Sequence, residues 1–181
     1  MSVKHRLLES GLALLHEQGL AALTQPRVAK AAGVSQSHLT YYFPTRNDLL
    51  LAIAEHSVDQ ALARPLESAG ADPLEAMSAA MAYLPRVRML LGLLAAADQE
   101  PALRDAVARL VTHIRQSIGK LLTRLGYALD SEHVMVFHAA VVGLAALNLG
   151  RQSPQSEQEL KAGLAQLLAL LPHPDGGSKD R

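Results

Sequence analysis

The sequence predicts an all-α fold, and three observations lead there. Apolar residues return at intervals of three and four along most of the 181-residue chain, no stretch alternates apolar and polar in the manner of a strand, and Gly or Pro stops fall at helical spacings. Composition agrees: 49% of residues are apolar but only 3% aromatic, as in cores built of Ala and Leu. The length suits one or two compact domains with a sizeable core, and about nine helices are expected.

The first helix is predicted from about residue 3 to 18, with Leu8, Gly11, Leu12 and Leu15 on one face and Gly19 as its stop. Residues 24 to 49 then spell two short helices hinged at Gly33. Before the hinge, Val28, Ala29 and Ala32 place small apolar side chains where a second helix can approach closely. Pro26 fits the first turn of that helix, where a missing N–H costs little. After the hinge, Ser35 caps a helix from Gln36 to about Tyr42. The turn Ala32-Gly33-Val34-Ser35 has the length of a helix-turn-helix connection.

On the second of these helices Leu39 and Phe43 lie four apart and point inward, leaving Gln36, Ser37, His38, Tyr41 and Tyr42 on the remaining surface. These side chains suit a nucleic-acid groove. Gln can bond an adenine edge through two hydrogen bonds, Ser and His meet base edges or phosphates, and Tyr hydroxyls reach phosphates. Thr24 and Arg27 open the helix before, and Pro44, Thr45, Arg46 and Asp48 open the helix after, so polar and cationic groups bracket the segment. Free N–H groups at helix N-termini add affinity for phosphate.

The fourth helix starts near Thr45, passes through Leu49, Leu50, Ile53 and Ala54 toward Ala63, and is expected to end before Pro65. It joins the two halves of the chain. After a turn at Gly70-Ala71-Asp72-Pro73 comes a helix carrying Leu74, Met77, Met81 and Leu84, with Pro85 breaking or kinking it before a run from Val87 to Ala97. Asp98-Gln99-Glu100-Pro101 is the next stop. Beyond it Leu103, Val107, Leu110, Val111, Ile114, Ile118, Leu121, Leu122 and Leu125 form the cleanest apolar stripe of the chain, ended by Gly126. Arg104, Arg109, Arg115, Lys120 and Arg124 lie off it and read as a solvated basic face.

Asp130 and Ser131 cap a helix that is apolar nearly all round from Val134 to Leu149, too short and interrupted for a membrane span. One side should meet the domain core and the other something else. The last helix, from about Ser156 to Leu171, carries Leu160, Leu164, Leu167, Leu168 and Leu171 on one stripe. A flexible tail is expected over 172–181.

The whole chain has no net charge, but its distribution is uneven. Over residues 1–48, Lys4, Arg6, Arg27, Lys30 and Arg46 face only Glu9, Glu17 and Asp48, a net +2 that the remainder balances with −2. Cysteine is absent, excluding a disulfide framework and thiol chemistry. The N-terminus lacks the apolar run of a signal peptide, so a cytoplasmic location and no membrane partner are expected.

An enzyme is not expected. No Gly-rich phosphate loop follows a strand, and the Glu-x-x-His pairs of metal-carboxylate bundles do not occur, so no catalytic residue, metal or cofactor is assigned. Asp130-x-x-His133 is the nearest approach to a metal-binding pair, and Asp130 is better explained as a cap. His138, on its apolar helix, reads as a core histidine.

The pattern Thr24, Arg27, Ala29, Ala32-Gly33-Val34-Ser35, Leu39, Tyr42-Phe43-Pro44, Arg46 and Leu49 resembles the DNA-binding domain of the TetR family of bacterial transcriptional regulators in order and spacing. The resemblance implies a three-helix DNA-binding domain over 1–48 and a helical effector-binding and dimerisation domain over 49–171. It implies DNA contacts from Thr24, Arg27, Ser35, Gln36, Ser37, His38, Tyr41, Tyr42 and Arg46. Thr40 stands where the family most often has Tyr, and His38 where Thr or Ala is common, so a base preference does not carry over.

The same resemblance implies a homodimer built on the last two helices, with Ala139, Gly143, Ala146, Leu160, Leu164 and Leu168 at the interface. A small-molecule effector would sit among Met77, Met81, Tyr83, Met89, His113, Phe137 and His138. The expected function is operator-bound repression released by that effector. The alternatives are a helical interaction protein that kept the helix-turn-helix without an operator, and an unrecognised helical enzyme.

Overall fold

This computed structural model describes residues 2–67 and 72–173, and side chains other than those of residues 64–67. Nine α-helices and one short 3-10 turn make up the described residues, with no strand among them. The helices are α1 (Val3–Gln18), α2 (Gln25–Ala32), α3 (Gln36–Tyr42), α4 (Arg46–Glu67), α5 (Pro73–Ala82), α6 (Leu84–Gln99), α7 (Pro101–Arg124), α8 (Ser131–Arg151) and α9 (Pro154–Ala169). The 3-10 turn spans Leu20–Ala22. The chain divides into two compact units, one of residues 1–60 and 84–112, the other of residues 61–83 and 113–181.

In the first unit α1 packs on α2, α3 and α6. Its core holds Leu7, Leu12, Leu15, Val28, Leu39, Phe43, Leu49 and Ile53, each 5% exposed or less. The buried stripe of α1 includes Leu7 and leaves Leu8 half-buried, a small rotation from the predicted face. At Gly11 α1 meets α4 closely: a Cβ added there would lie 2.3 Å from Ile53 Cδ1. Only the missing side chain allows that approach.

In the second unit α9 packs on α8 and α5, and α5 on α8. Met77, Ile118, Leu121, Leu122, Phe137, Leu160 and Leu164 form its core. A buried hydrogen bond from Ser156 Oγ to Asn148 Oδ1, 2.6 Å long, ties α9 to α8. Ser153 and Ser156 cap one another's backbone at the start of α9, which explains why that helix begins at Pro154, before the predicted Ser156. The expected flexible tail starts at a tied residue, since Pro172 accepts a 2.8 Å hydrogen bond from the Ala128 N–H; residues 174–181 lie outside the described residues.

Two further predicted boundaries move, both at prolines. α4 does not stop before Pro65 but continues to Glu67. Near the end of a helix a proline forfeits a single backbone bond, which few following turns amplify. The break between α5 and α6 falls at Tyr83, and Pro85 lies in the first turn of α6, where its nitrogen needs no partner. Gly70 and Ala71 of the predicted turn lie outside the described residues.

α8 is long and apolar enough to cross a membrane by length and composition. Here it is amphipathic in burial rather than in sequence. Val134, Phe137, His138, Ala145 and Asn148 face the unit's core, while Met135, Val136, Ala139, Gly143 and Leu147 are exposed.

Candidate nucleic-acid interface

The interface is set up by backbone chemistry at Gly33. This residue adopts φ 64° and ψ 37°, the left-handed conformation, and ends α2. Its N–H bonds the Lys30 carbonyl and the Val34 N–H bonds the Ala29 carbonyl, so the last carbonyls of α2 are satisfied while the chain reverses. Ser35 then opens α3, its side chain accepting from the His38 N–H at 3.2 Å.

α3 is anchored from beneath by Leu39 and Phe43, 0% and 3% exposed. Gln25 Nε2 donates to the Phe43 carbonyl at 2.7 Å and holds the C-terminal end of α3 against the start of α2. Nothing in the sequence singled out Gln25, because its role depends on where Phe43 ends up. The Thr40 hydroxyl turns back onto the Gln36 and Ser37 carbonyls and is removed from the outer face.

Gln36, Ser37, His38 and Tyr41 are exposed together on the outer face, with Tyr41 79% exposed. Among the described residues their side chains spend no hydrogen bond inside the protein. Tyr42 is 38% exposed and meets Tyr41 edge to face, ring centres 5.2 Å apart. The structure thus brings the predicted α3 residues onto one polar surface.

The flanking residues divide. Thr24 is the N-cap residue of α2, half-buried, and its side chain makes no capping bond. Arg27 is exposed, with Nη2 hydrogen-bonded to Gln18 Oε1. Arg46 is exposed too, yet its Nε donates to the Leu23 carbonyl at 3.1 Å, so it braces the start of α4 against the 3-10 turn. Thr45 and Asp48 cap α4 reciprocally: the Asp48 carboxylate accepts from the Thr45 N–H and hydroxyl, and the Asp48 N–H donates to Thr45 Oγ1. Lys4, Arg6 and Lys30 are exposed on the same unit.

The residues expected around an effector do not all converge. Met77, Met81 and Phe137 line one apolar cavity of about 60 Å³ in the second unit, with Ala61, Leu62, Ala80, Ile118, Leu121 and Val141. Met89 belongs instead to the core of the first unit, 1% exposed. Tyr83 is 36% exposed, and neither it, half-buried His113 nor buried His138 lines that cavity. Burial and the positive charge of Arg115 hold His138 below the ordinary imidazole value.

The expected interface residues divide too. Ala139 and Gly143 are exposed and Ala146 half-buried. Leu160, Leu164 and Leu168 are 1%, 0% and 9% exposed, so they face the core of their own unit and are not available to a partner. A leucine stripe at helical spacing marks a buried face without saying what buries it.

Known proteins are similar to this chain in sequence and fold. Residues 7–53 match the family model described as bacterial regulatory proteins, tetR family. A curated relative, the HTH-type transcriptional regulator CymR of Pseudomonas putida, is 29% identical over 175 residues, covering 89% of this chain and 86% of its own. Among solved structures, a TetR-family transcriptional regulator from Rhodococcus sp. shares the fold with a TM-score of 0.67 at 24% identity, covering 93% of this chain and all of its own. The multidrug binding protein EbrR, complexed with proflavin, does so with a TM-score of 0.56 at 20% identity, covering 92% and 99%. The chain thus carries over residues 7–53 a segment that matches the tetR-family model, and over most of its length it is similar to a transcriptional regulator.

Proposed function

We propose that the protein binds a pseudo-palindromic DNA operator as a homodimer, acts as a repressor, and is released by a small apolar effector. The observation that carries the reading is the outer face of α3, where Gln36, Ser37, His38 and Tyr41 are exposed with no internal hydrogen bond among the described residues. Such a face, held by Leu39 and Phe43 from below, enters a major groove without unfolding anything. Thr24, Arg27, Ser35, Tyr42 and Arg46 then meet the adjoining phosphates, with residues 1–48 as the DNA-binding domain and 49–171 as the regulatory one. The cytoplasm, where the operator lies, is the working compartment.

Dimerisation is supported by the exposed apolar face of α8. Met135, Val136 and Leu147 are 42%, 59% and 65% exposed, and Ala139 and Gly143 between them allow close helix approach. The predicted interface is accordingly revised toward α8. Two recognition helices then reach half-sites about one helical turn apart.

The effector reading rests on the cavity of the second unit, lined by apolar side chains alone. At about 60 Å³ it is well below the roughly 300–1,000 Å³ typical of ligand sites, so an effector must widen it. Ala61 and Leu62 of α4 are among its walls, and α4 begins at Arg46, directly after the recognition segment. Release requires that the effector bind the widened state more tightly than the closed one. EbrR, similar in fold, is a multidrug binding protein solved in complex with proflavin.

Selection from a random pool of duplex DNA tests the reading. The expected result is a two-fold-symmetric consensus whose affinity falls steeply with salt. A pool without consensus, or an affinity indifferent to salt, would overturn it.

A further inference from the structure

Four side chains from two helices meet on one side of the first unit. His5 and Glu9 stand four residues apart on α1, and His56 and Gln60 four apart on α4, so each pair shares a helical face. Close packing at Gly11 brings the two faces together. Glu9 Oε1 lies 2.6 Å from His56 Nε2, 2.6 Å from Gln60 Nε2 and 3.8 Å from His5 Nε2. Gln60 Nε2 is itself 3.1 Å from His56 Nε2, and the two imidazoles meet edge to face at 5.4 Å. The His56 side chain is 16% exposed, those of His5 and Glu9 44% and 40%.

For an ionised Glu9 these contacts cannot all be hydrogen bonds. With a proton on Nε2, His56 donates to Glu9 but confronts the Gln60 amide donors with no lone pair. Without that proton it accepts from Gln60 but sets its lone pair against the carboxylate oxygen at 2.6 Å. Turning the Gln60 amide over places its carbonyl oxygen against the same carboxylate oxygen instead. Each arrangement leaves at least one of the three contacts without a hydrogen bond.

A central cation offers a different arrangement, because it takes a lone pair from the Glu9 carboxylate oxygen and from each of the two imidazoles. One ligand atom each from His5, Glu9 and His56 already lies within 4.8 Å of the others. Tetrahedral Zn²⁺, with bonds of about 2.0–2.2 Å, holds its ligand atoms roughly 3.4 Å apart, so the 2.6 Å Glu9–His56 separation has to open and the 3.8 Å His5–Glu9 separation to close. Two imidazoles and one carboxylate suit Zn²⁺ and its neighbours in the first transition row, whereas Mg²⁺ and Ca²⁺ require oxygen donors. The open position is left to water or to the Gln60 amide oxygen.

We propose that His5, Glu9 and His56 form a transition-metal site, suited to Zn²⁺, that cross-links α1 to α4. The site shares no residue with the cavity of the second unit or with the outer face of α3.

The test uses the full chain without a polyhistidine tag, stripped by EDTA and freed of chelator. Calorimetric titration with Zn²⁺ is expected to give one ion per chain at micromolar affinity or tighter, with a melting temperature raised by several degrees at saturation, and no response to Mg²⁺. Co²⁺ is expected to give the visible d–d bands of a four- or five-coordinate ion. His56→Ala and Glu9→Gln are expected to weaken Zn²⁺ binding more than about 100-fold. Helical circular dichroism verifies their folding, and His5→Ala, on a half-exposed side chain, provides a variant that leaves the core alone. Millimolar Zn²⁺ affinity in the parent, or unchanged stoichiometry and affinity in His5→Ala and His56→Ala, would sink the proposal.

Discussion

At the scale of single residues, the outer face of α3 separates exposed groups proposed to read DNA from groups that hold the helix. Gln36 is exposed and contributes nothing to the core, so Gln36→Ala is expected to leave the melting temperature unchanged while costing about 1–3 kcal/mol of operator affinity, measured by fluorescence anisotropy. Arg27→Ala is expected to weaken all sequences alike and reduce the salt slope by about one. A loss confined to one operator base would refute the phosphate role of Arg27. Gly33 is a conformational requirement rather than a packing one. Nothing lies within 4 Å of a Cβ built there, so Gly33→Ala is expected to cost about 1–2 kcal/mol through the left-handed backbone alone, read from denaturant melts.

At the scale of elements, α8 and α9 show how similar sequence patterns serve different ends. Leu164 on α9 is fully buried within the chain and Leu147 on α8 is 65% exposed. Leu164→Ala is therefore expected to destabilise the fold by about 2–5 kcal/mol, through lost contacts and the cavity left behind. Leu147→Glu is expected to leave unfolding nearly unchanged but to weaken self-association by about 2–4 kcal/mol, since dimerisation would bury an unpaired charge. Sedimentation velocity of the two variants distinguishes these outcomes. A Leu147→Glu protein that remained dimeric would remove α8 from the interface.

At the scale of the whole molecule, pH reports on the second unit. His138, 8% exposed, has its imidazole held below the ordinary value by burial and by Arg115. The unfolded chain thus takes up a proton on His138 at a higher pH than the folded chain does. Its contribution to stability is complete above the unfolded value near 6.5 and is lost as pH falls from there toward the depressed folded value. His138→Gln is expected to flatten the decline in melting temperature between about pH 7.5 and 5, and an unchanged slope would show that other groups govern it.

The sequence by itself determined the helices, the hinge and the face of α3, because these depend on neighbours in the chain. Ser35 caps the residue three ahead, Gly33 adopts the left-handed turn alone, and Leu39 and Phe43 share a face by helical period. It also carried two of the three residues of the His5–Glu9–His56 cluster, as a pair one turn apart on α1. Only tertiary structure decided what covers each apolar stripe, turning Leu160, Leu164 and Leu168 inward and leaving Leu147 outside. Only tertiary structure set Gln25 under Phe43, parted Met89 from Met77 and Met81, and carried His56 across 47 residues to Glu9. Periodicity reports that a face is buried, while its partner is chosen by packing among segments far apart in sequence.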